Sequence, residues 1–457
     1  MGGLNTALLI GVGGLDAAQG ALDATSNNIA NVNTPGYTRE EAQLSELPET
    51  ESAGQITGGG VSLEGLQSIR DELLNVQIQQ QTSLQSAADT ESASLQQAQT
   101  YFTSTGTDIA SALSSFSSSL AALSANSTSS SAQQGVLAAG QNLASAFNTA
   151  AGGLTGVQTA ANQQIPDTVS QINSLTQQIA QLNGQLAQVP AGEGGGTVQD
   201  QLDQAVKQLA ALTNISVTQT NNGETITTGS GTPLVEGDQS YNLQTSTGTG
   251  GQLEVLDANG NNITSAITGG TLGGALNIAN QVIPGLMTQL NTLASQFATA
   301  FNSAQAGGTD SNGNAGGAFF TGTANLSNAA ANMSVGLISA AQIAISSSTG
   351  GGNGNVANLS AALTSTLPSG ESAADGYAGI VFNVGTVASN ASTQSTAIGD
   401  NLTQLTTQQG AVSAVNIDEE TANLMRYQTA YEAAARIVST VQVLDNAALN
   451  MGSSTSF

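Results

Sequence analysis

The side chains that could do chemistry in this 457-residue chain are carboxylates, because the sequence contains neither histidine nor cysteine. Three of them are consecutive: Asp418, Glu419 and Glu420. Such a cluster could hold a metal ion or supply an acid and a base. However, Asn416 precedes it as a candidate helix cap, and negative side chains are favoured at the start of a helix. We therefore predict that this cluster begins a helix and has a structural role.

Two loops rich in oxygen atoms faintly resemble calcium-binding loops. Their sequences are DANG at residues 257–260 and DSNGN at residues 310–314. A calcium loop of the helix–loop–helix type carries a glutamate at its twelfth position, but the corresponding residues here are Thr268 and Thr321. Asp, Asn and Gly are also the residues of tight turns. The sequence therefore favours turns over calcium sites, and we expect no metal, no cofactor and no enzymatic activity.

The net charge argues against two classes of partner. The chain has five Lys+Arg against 31 Asp+Glu, which gives a net charge of −26 at pH 7, although only 8% of its residues are charged. A chain this acidic offers no basic surface for nucleic acid or for an anionic membrane. It also contains no apolar run approaching the ~18 residues that a membrane-spanning helix requires. We therefore expect no nucleic acid and no membrane among its partners.

Any site in this chain must be positioned by helices, and the clearest helical patterns are at its two ends. At each end, large apolar residues recur every seven positions, which is typical of a helix that lies along another helix. These seam residues are Leu8, Leu15, Leu22 and Ile29 near the start and Ile417, Leu424, Tyr431 and Val438 near the end, with Tyr427 and Val441 in companion positions. Each seam is too narrow to form a core alone. We therefore predict that the two ends pair with each other or with other copies.

A polar joint follows the first seam. Pro35 cannot continue a helix, and it pushes the preceding residue towards extended geometry. The residues after the turn include an aromatic ring, Tyr37, and a cation, Arg39. No charged residue lies between Asp23 and Arg39, so we predict that residues 24–39 form a joint rather than part of the core.

The scarcity of cations makes Arg39 a candidate for an ion pair. A solvated role is the default for a surface arginine, because exposed ion pairs contribute little. In a polymer, Arg39 could instead pair with Asp16, Asp23 or Asp418 of the same or a neighbouring subunit. The sequence does not choose among these options.

The sequence as a whole predicts a fold that is mainly α with a smaller β part. Apolar residues recur at helical intervals through most of the middle from Val61 onward, and residues 40–57 suggest an exposed extended connection. Within residues 215–267, β-formers and Asn-Gly pairs are typical of hairpins. We predict a long helical-bundle or coiled-coil rod with paired N- and C-terminal helices and a small antiparallel β module. The predicted units are a terminal coiled coil of residues 1–45 and 412–457, a helical rod of residues 60–212 and 272–411, and a β module of residues 213–271.

The two ends also carry a resemblance to a known family. The sequence SNNIANVNTPGYTRE at residues 26–40 resembles the N-terminal signature of bacterial flagellar rod, hook and hook-associated proteins. The sequence VNIDEETANLMRYQTAYEAAARIVSTVQ at residues 415–442 is similar to their C-terminal segment. Together, the GYTRE and VNIDEE variants resemble the hook-associated members of this family. Weaker similarity extends over residues 200–217 and 270–320.

The resemblance implies a structural adaptor at the hook–filament junction of the bacterial flagellum, which polymerises on the distal hook through its terminal helices. The seam residues, with Tyr37 and Arg39, would then be its assembly interface. The implied partners are further copies of the chain in a ring or helical layer, hook protein, the second hook–filament junction protein, the flagellar export apparatus and an export chaperone. The implied location is outside the cell, after export without a cleaved signal.

Other interpretations remain open from the residues alone. The nearest is another flagellar axial protein, either hook protein or the second junction protein. From different classes, the chain could be an acidic secreted adhesin or an enzyme that uses carboxylates. An adhesin would not need apolar seams at both ends, and a hydrolase should show paired carboxylates in a cleft.

Overall fold

The computed structural model describes residues 2–52, 55–103, 106, 108–189, 195–220, 223–347 and 352–453. The helices are α1 Gly2–Asn31, α2 Glu72–Thr100, α3 Ile109–Ala125, α4 Ser130–Leu186, α5 Gly196–Leu212, α6 Gly270–Asn277, α7 Ile283–Ala306, α8 Ala329–Asn332, α9 Val356–Thr364, α10 Ala373–Ser413 and α11 Ile417–Ser453. The strands are β1 Glu40–Glu46, β2 Thr50–Ser52, β3 Gln55–Thr57, β4 Val61–Ser68, β5 Ile215–Thr220, β6 Gly223–Thr228, β7 Pro233–Glu236, β8 Gln239–Ser240, β9 Gln244–Thr247, β10 Leu253–Leu256, β11 Gly308–Thr309, β12 Phe320–Thr321, β13 Ser334–Val335 and β14 Ser346–Ser347. The predicted fold class, mainly α with paired terminal helices and small antiparallel sheets, is confirmed.

The terminal helices α1 and α11 lie side by side and run antiparallel. A Cβ atom placed on Gly11 would lie 2.9 Å from Val438 Cγ2, and one placed on Gly14 would lie 3.6 Å from the Cβ of Ala434. Rising residue numbers in α1 therefore face falling numbers in α11. A glycine at position 11 lets the two backbones approach more closely than a larger residue would allow.

A two-stranded antiparallel ribbon packs against α1, and it corrects the prediction for this stretch. Strands β1 and β4 pair from Glu40 opposite Ser68 to Glu46 opposite Val61. Residues 61–68 are therefore a strand rather than the start of a helix, and residues 40–46 are paired rather than a free connection. The prediction of a helix from Val61 was wrong because apolar residues in this short strand continue at helix-like intervals into α2. Strand alternation is also hard to recognise over so few residues.

The middle of the chain is built around α4 and a cluster of phenylalanines. Helix α4 continues through Pro166, and α3, α5 and α7 pack against it. The rings of Phe116 and Phe301 lie 5.1 Å apart between centroids, and Phe319 and Phe320 lie 4.8 Å apart. All four rings are buried. Burying aromatic rings in such a cluster is a major source of stability for this part of the chain.

A π-helical turn, residues 278–282, joins α6 to α7 in one continuous helix. The N–H of Ile283 bonds to Ile278 O, five residues back, and Pro284 has no N–H to donate. Two carbonyls are thereby freed from the usual α-helical pattern. Gln158 Nε2 donates to Ala279 O over 2.8 Å, and Gln252 Nε2 donates to Asn280 O over 3.1 Å. Side chains from two neighbouring segments therefore satisfy the groups that the π turn leaves open.

The predicted β region forms a sheet in the order β5–β6–β7–β8, beside a hairpin of β9 and β10. All of these pairs are antiparallel, as predicted. Gly223 begins β6 with φ at +98°, a conformation that favours glycine. Residues 321–370, which are hard to interpret from sequence, contain short elements including β13, α8 and α9, and residues 348–351 lie outside the described ranges.

Candidate assembly interface

The two predicted seams lie on the paired helices α1 and α11, but they are only partly buried in a single copy. All four seam residues of α1 are half-buried. On α11, Val441 is buried, Ile417 and Tyr431 are exposed, and the other predicted residues are half-buried. The buried apolar side chains of α1 are alanines instead: Ala17, Ala18, Ala21 and Ala24. Small residues of α1, such as Gly11 and Gly14, let α11 approach closely, and the large apolar side chains of both helices are left partly open to solvent.

Large apolar side chains elsewhere on the same two helices face solvent. They are Leu9 and Val12 on α1, and Met425, Ile437, Val443, Leu444 and Leu449 on α11. The two most exposed, Leu9 and Val443, keep 64% and 65% of their area accessible. So many exposed large apolar residues on two paired helices are unusual for a soluble monomer, and exposed apolar surface of this kind marks interaction sites.

An apolar groove of about 560 Å³ lies between α1, α11 and the β1–β4 ribbon. Its floor consists of small residues of both helices, including Gly14, Ala18 and Ala433. Leu44 and Ile437, which also line it, are both exposed in a single copy. A groove of small residues beside large exposed ones can accept an apolar side chain from outside.

Asn28 connects the end of α1 to the start of β1 at the predicted joint. Its side chain is almost fully buried. Asn28 Oδ1 accepts hydrogen bonds of 2.9 Å from the backbone N–H of Glu40 and from the hydroxyl of Tyr37, and Asn28 Nδ2 donates to Glu40 O over 2.9 Å. Burial, together with the negative charges of Glu40 and Asp200, raises the pKa of the Tyr37 hydroxyl. Tyr37 therefore stays a neutral hydrogen-bond donor. The side chain of Asn28 ties the start of the β1–β4 ribbon to the end of α1.

Arg39 connects the joint to α11. It forms ion pairs of 3.1 Å with Glu41 and with Glu419, and its backbone N–H donates to Ser413 O. None of the three aspartates considered from sequence is its partner within the chain. The sequence could not show that α11 begins beside the joint, so Glu419 was missed as a partner of Arg39.

The acidic cluster at residues 418–420 begins α11, as predicted. Asn416 Oδ1 accepts a hydrogen bond from the backbone N–H of Asp418 over 3.0 Å. Glu419 is occupied by Arg39, and Glu420 is buried in the joint. In the described ranges, no group of three or more acidic residues is arranged to hold a metal ion.

Arg70 forms a second charged contact at the joint, which sequence reasoning missed. Its guanidinium pairs with Asp200 at 2.6 Å and with Asp203, both on α5. Asp200 Oδ2 also accepts a hydrogen bond from the backbone N–H of Thr38 over 3.1 Å. The joint is therefore held against α5 as well as α11. The available signal was that Arg70 is one of only five cations in the chain.

The two loops with calcium-like sequences are turns, which confirms that prediction. Asp257 Oδ1 accepts hydrogen bonds from the backbone N–H groups of Asn259 and Asn261, and Asp310 Oδ1 accepts from the corresponding residues of its own loop. The side chain and backbone of Asn261 are the main donors that lower the pKa of Asp257. Gly260 supplies the left-handed backbone, with φ at +83°. Each aspartate is therefore used to close its own turn.

Across the part of the chain that the structure describes, no helix combines the length and apolarity that a bilayer crossing requires.

Three family profiles match successive parts of the chain. The profile described as flagellar hook-associated protein FlgK helical domain matches residues 95–320. The flagella basal body rod protein profile matches residues 8–38, which cover most of α1 and the following turn. The flagellar basal body rod FlgEFG protein C-terminal profile matches residues 408–451, which cover most of α11.

Related proteins align along almost the whole chain. Flagellar hook-associated protein 1 of Bacillus subtilis is 30% identical, over 96% of this chain and 96% of its own length. Flagellar hook-associated protein 1 of Escherichia coli is 26% identical, over 96% of this chain and 98% of its own length. The solved structure of the flagellar hook junction protein FlgK from Burkholderia pseudomallei shares the fold, with a TM-score of 0.67 at 20% identity, and covers 74% of this chain and 100% of that one. The chain belongs to the flagellar hook-associated protein 1 family.

Proposed function

We propose that this chain is the structural adaptor of the hook–filament junction, and that it polymerises on the distal hook through α1 and α11. The observation that carries the proposal is the set of large apolar side chains that these two helices expose in a single copy. Leaving each such side chain in water forgoes about 1.5–3 kcal/mol of possible burial. Neighbouring copies that cover Leu9, Val443 and the apolar groove would recover that free energy.

The same proposal assigns the predicted interface and the partners. The seam residues of α1 and α11 would face neighbouring copies, while Tyr37 and Arg39 would hold the joint that aims them. The family profiles at both ends are those of rod and hook proteins, which supports axial proteins of the flagellum as partners. We propose further copies, hook protein and the second junction protein as the contacts, reached outside the cell after passage through the export apparatus with an export chaperone.

Removal of the protein from its host tests this function. Cells that lack it should carry hooks without filaments, and they should shed filament protein into the medium. Electron microscopy of the cells and immunoblotting of the medium measure the two effects, and restoring the chain should reverse both. Normal filaments on cells that lack the protein would refute the junction role.

The division of the chain into three units also stays a proposal, and proteolysis tests it. In dilute solution we expect a monomer whose terminal helices open at little cost, because they bury few large side chains. A protease of low selectivity should therefore remove both ends first and leave a resistant core near residues 60–409. Mass spectrometry identifies that core, and circular dichroism should retain most of its helical signal. Strong protection of residues 8–29 and 417–441 from hydrogen exchange in the free monomer would instead mean that the ends fold before assembly.

A further inference from the structure

Glu224 carries a buried carboxyl group in which one oxygen has no hydrogen-bond partner among the described residues. It follows Gly223 at the start of β6, and only 4% of its area is accessible. Asn183 of α4 holds its backbone, accepting from Glu224 N–H and donating to Glu224 O. Glu224 Oε1 accepts hydrogen bonds from Gln199 and Gln219, but Oε2 is buried and meets no partner among the residues that the structure describes. A buried ionised carboxylate in that situation costs considerable free energy.

The surroundings of Glu224 add further negative charge. The same Gln199 amide nitrogen that bonds Glu224 at 3.2 Å also bonds Asp203 Oδ1 at 3.0 Å, so two carboxyls share one donor. The charged groups that act on Glu224 are Asp203 of α5, Arg70 before α2 and Glu72 of α2. Arg70 is already paired with both aspartates of α5. The guanidinium of Arg70 is therefore the one positive charge that acts on Asp200, Asp203 and Glu224 among these groups. An ionised Glu224 would add a negative charge that it does not compensate.

The geometry points to a proton switch at this position: we propose that a proton on Glu224 keeps the β5–β6 hairpin docked on α4 and α5, and that loss of the proton loosens it. The contacts continue from Glu224 through Gln199 and Asp203 to Arg70, and from there to Asp200 and the joint at Thr38. The switch would thus connect the β module to the segment that aims the terminal helices. The inference does not depend on the proposed function.

The raised pKa of Glu224 determines the direction in which folding stability changes with pH. Burial, and then the charge of Asp203, raises the pKa of Glu224 from its ordinary value of 4.5 to about 7, while Gln199 and Arg70 act in the opposite direction. The folded state therefore binds more protons than the unfolded state between these values. The contribution of Glu224 to stability is full below pH 4.5 and is lost as the pH rises through about 7.

Thermal unfolding of the full chain across pH 5.5–8.5 tests the switch, with Glu224→Gln as the variant and Glu236→Gln as the matched control. Glu236 lies exposed in the same sheet, so its removal changes the net charge equally. We expect the wild-type Tm to fall by about 2 °C or more between pH 6 and pH 8. Glu224→Gln should flatten that fall and melt higher than wild type at pH 8, and Glu236→Gln should follow wild type.

The difference between Glu224→Gln and wild type is the readout, because burial also raises the pKa of Asp203. Hydrogen exchange of the β5–β6 hairpin, corrected for the intrinsic pH dependence, should show wild-type protection falling between pH 6 and pH 8 and the Glu224→Gln protection staying constant. Equal slopes for wild type and Glu224→Gln would overturn the proposal, as would an equal flattening by Glu236→Gln. Calcium chloride that restores wild-type stability at pH 8 would also overturn it, because the site would then hold a metal ion rather than a proton.

Discussion

Leu9→Asp and Val443→Asp should each leave the free chain folded and abolish filament attachment. Both side chains are about two-thirds exposed in a single copy, so a carboxylate there meets water and costs the monomer little. In the proposed assembly the same carboxylate would be buried without a partner, which is prohibitive for a contact made of apolar side chains. Circular dichroism of the purified variants should match wild type, whereas swimming in soft agar should be lost and hooks should appear bare by electron microscopy.

Ile338→Asp is the matched control for these two variants. Ile338 is 91% exposed and lies in the middle of the chain, outside both terminal helices. The same change of charge there should leave motility at the wild-type level. Normal swimming of the Leu9 and Val443 variants would show that these faces are not assembly surfaces. A loss of swimming in all three would instead indicate a general effect of the added charge.

Arg70→Met should cause a large loss of folding stability. It leaves Asp200 and Asp203 on α5 without the cation that both contact. Removing one partner of a largely buried ion pair destabilises proteins by about 3 kcal/mol, with some reduction here because Asp203 retains partial solvent contact. Denaturant unfolding followed by circular dichroism measures the change.

Two further substitutions separate this effect from the loss of a charge alone. Arg436→Met removes an exposed arginine of α11 and should change the free energy of unfolding by less than about 0.5 kcal/mol. Combining Arg70→Met with Asp200→Asn and Asp203→Asn should recover part of the loss, because the stranded negative charges are gone. If Arg70→Met and Arg436→Met were equally stable, the contact with α5 would have no structural importance.

The terminal helices could be predicted from sequence because their signals are local, but the predicted joint of residues 24–39 begins too early, since residues 24–31 belong to α1 and Ala24 and Thr25 are buried. Heptad spacing marks a helix within a few turns, and Pro35 limits how far it can continue, although α1 already ends at Asn31. The partners across the joint could not be predicted in the same way. Asn28 lies in a polar stretch whose residues suggest a turn, and nothing local indicates that it would bond Glu40 and Tyr37 at once. Arg70 pairs with carboxylates 130 and 133 positions away, and Glu419, one of the two partners of Arg39, is 380 positions away, so only the fold determines these contacts.

The assembly interface stays a prediction, and the sequence places it on α1 and α11 through the spacing of large apolar residues. Spacing identified large apolar positions that a single copy leaves mostly half-buried. Alanines such as Ala17 and Ala21 are the buried apolar residues of α1, and alanine carries almost no periodic hydrophobic signal in a chain already rich in it. Exposed residues such as Leu9 fall between heptad positions and therefore stand outside any two-helix pattern.

The π turn before Pro284 changes which way one helix faces along its length. One extra residue in a turn rotates everything that follows by about 100°. Before the turn, Gly274 lies so close to α2 that an added Cβ would sit 2.6 Å from Ala87 O. After it, Phe297 and Phe301 enter the phenylalanine cluster. One continuous helix therefore packs against two neighbours through two differently oriented faces. The π turn makes this change of face without a loop.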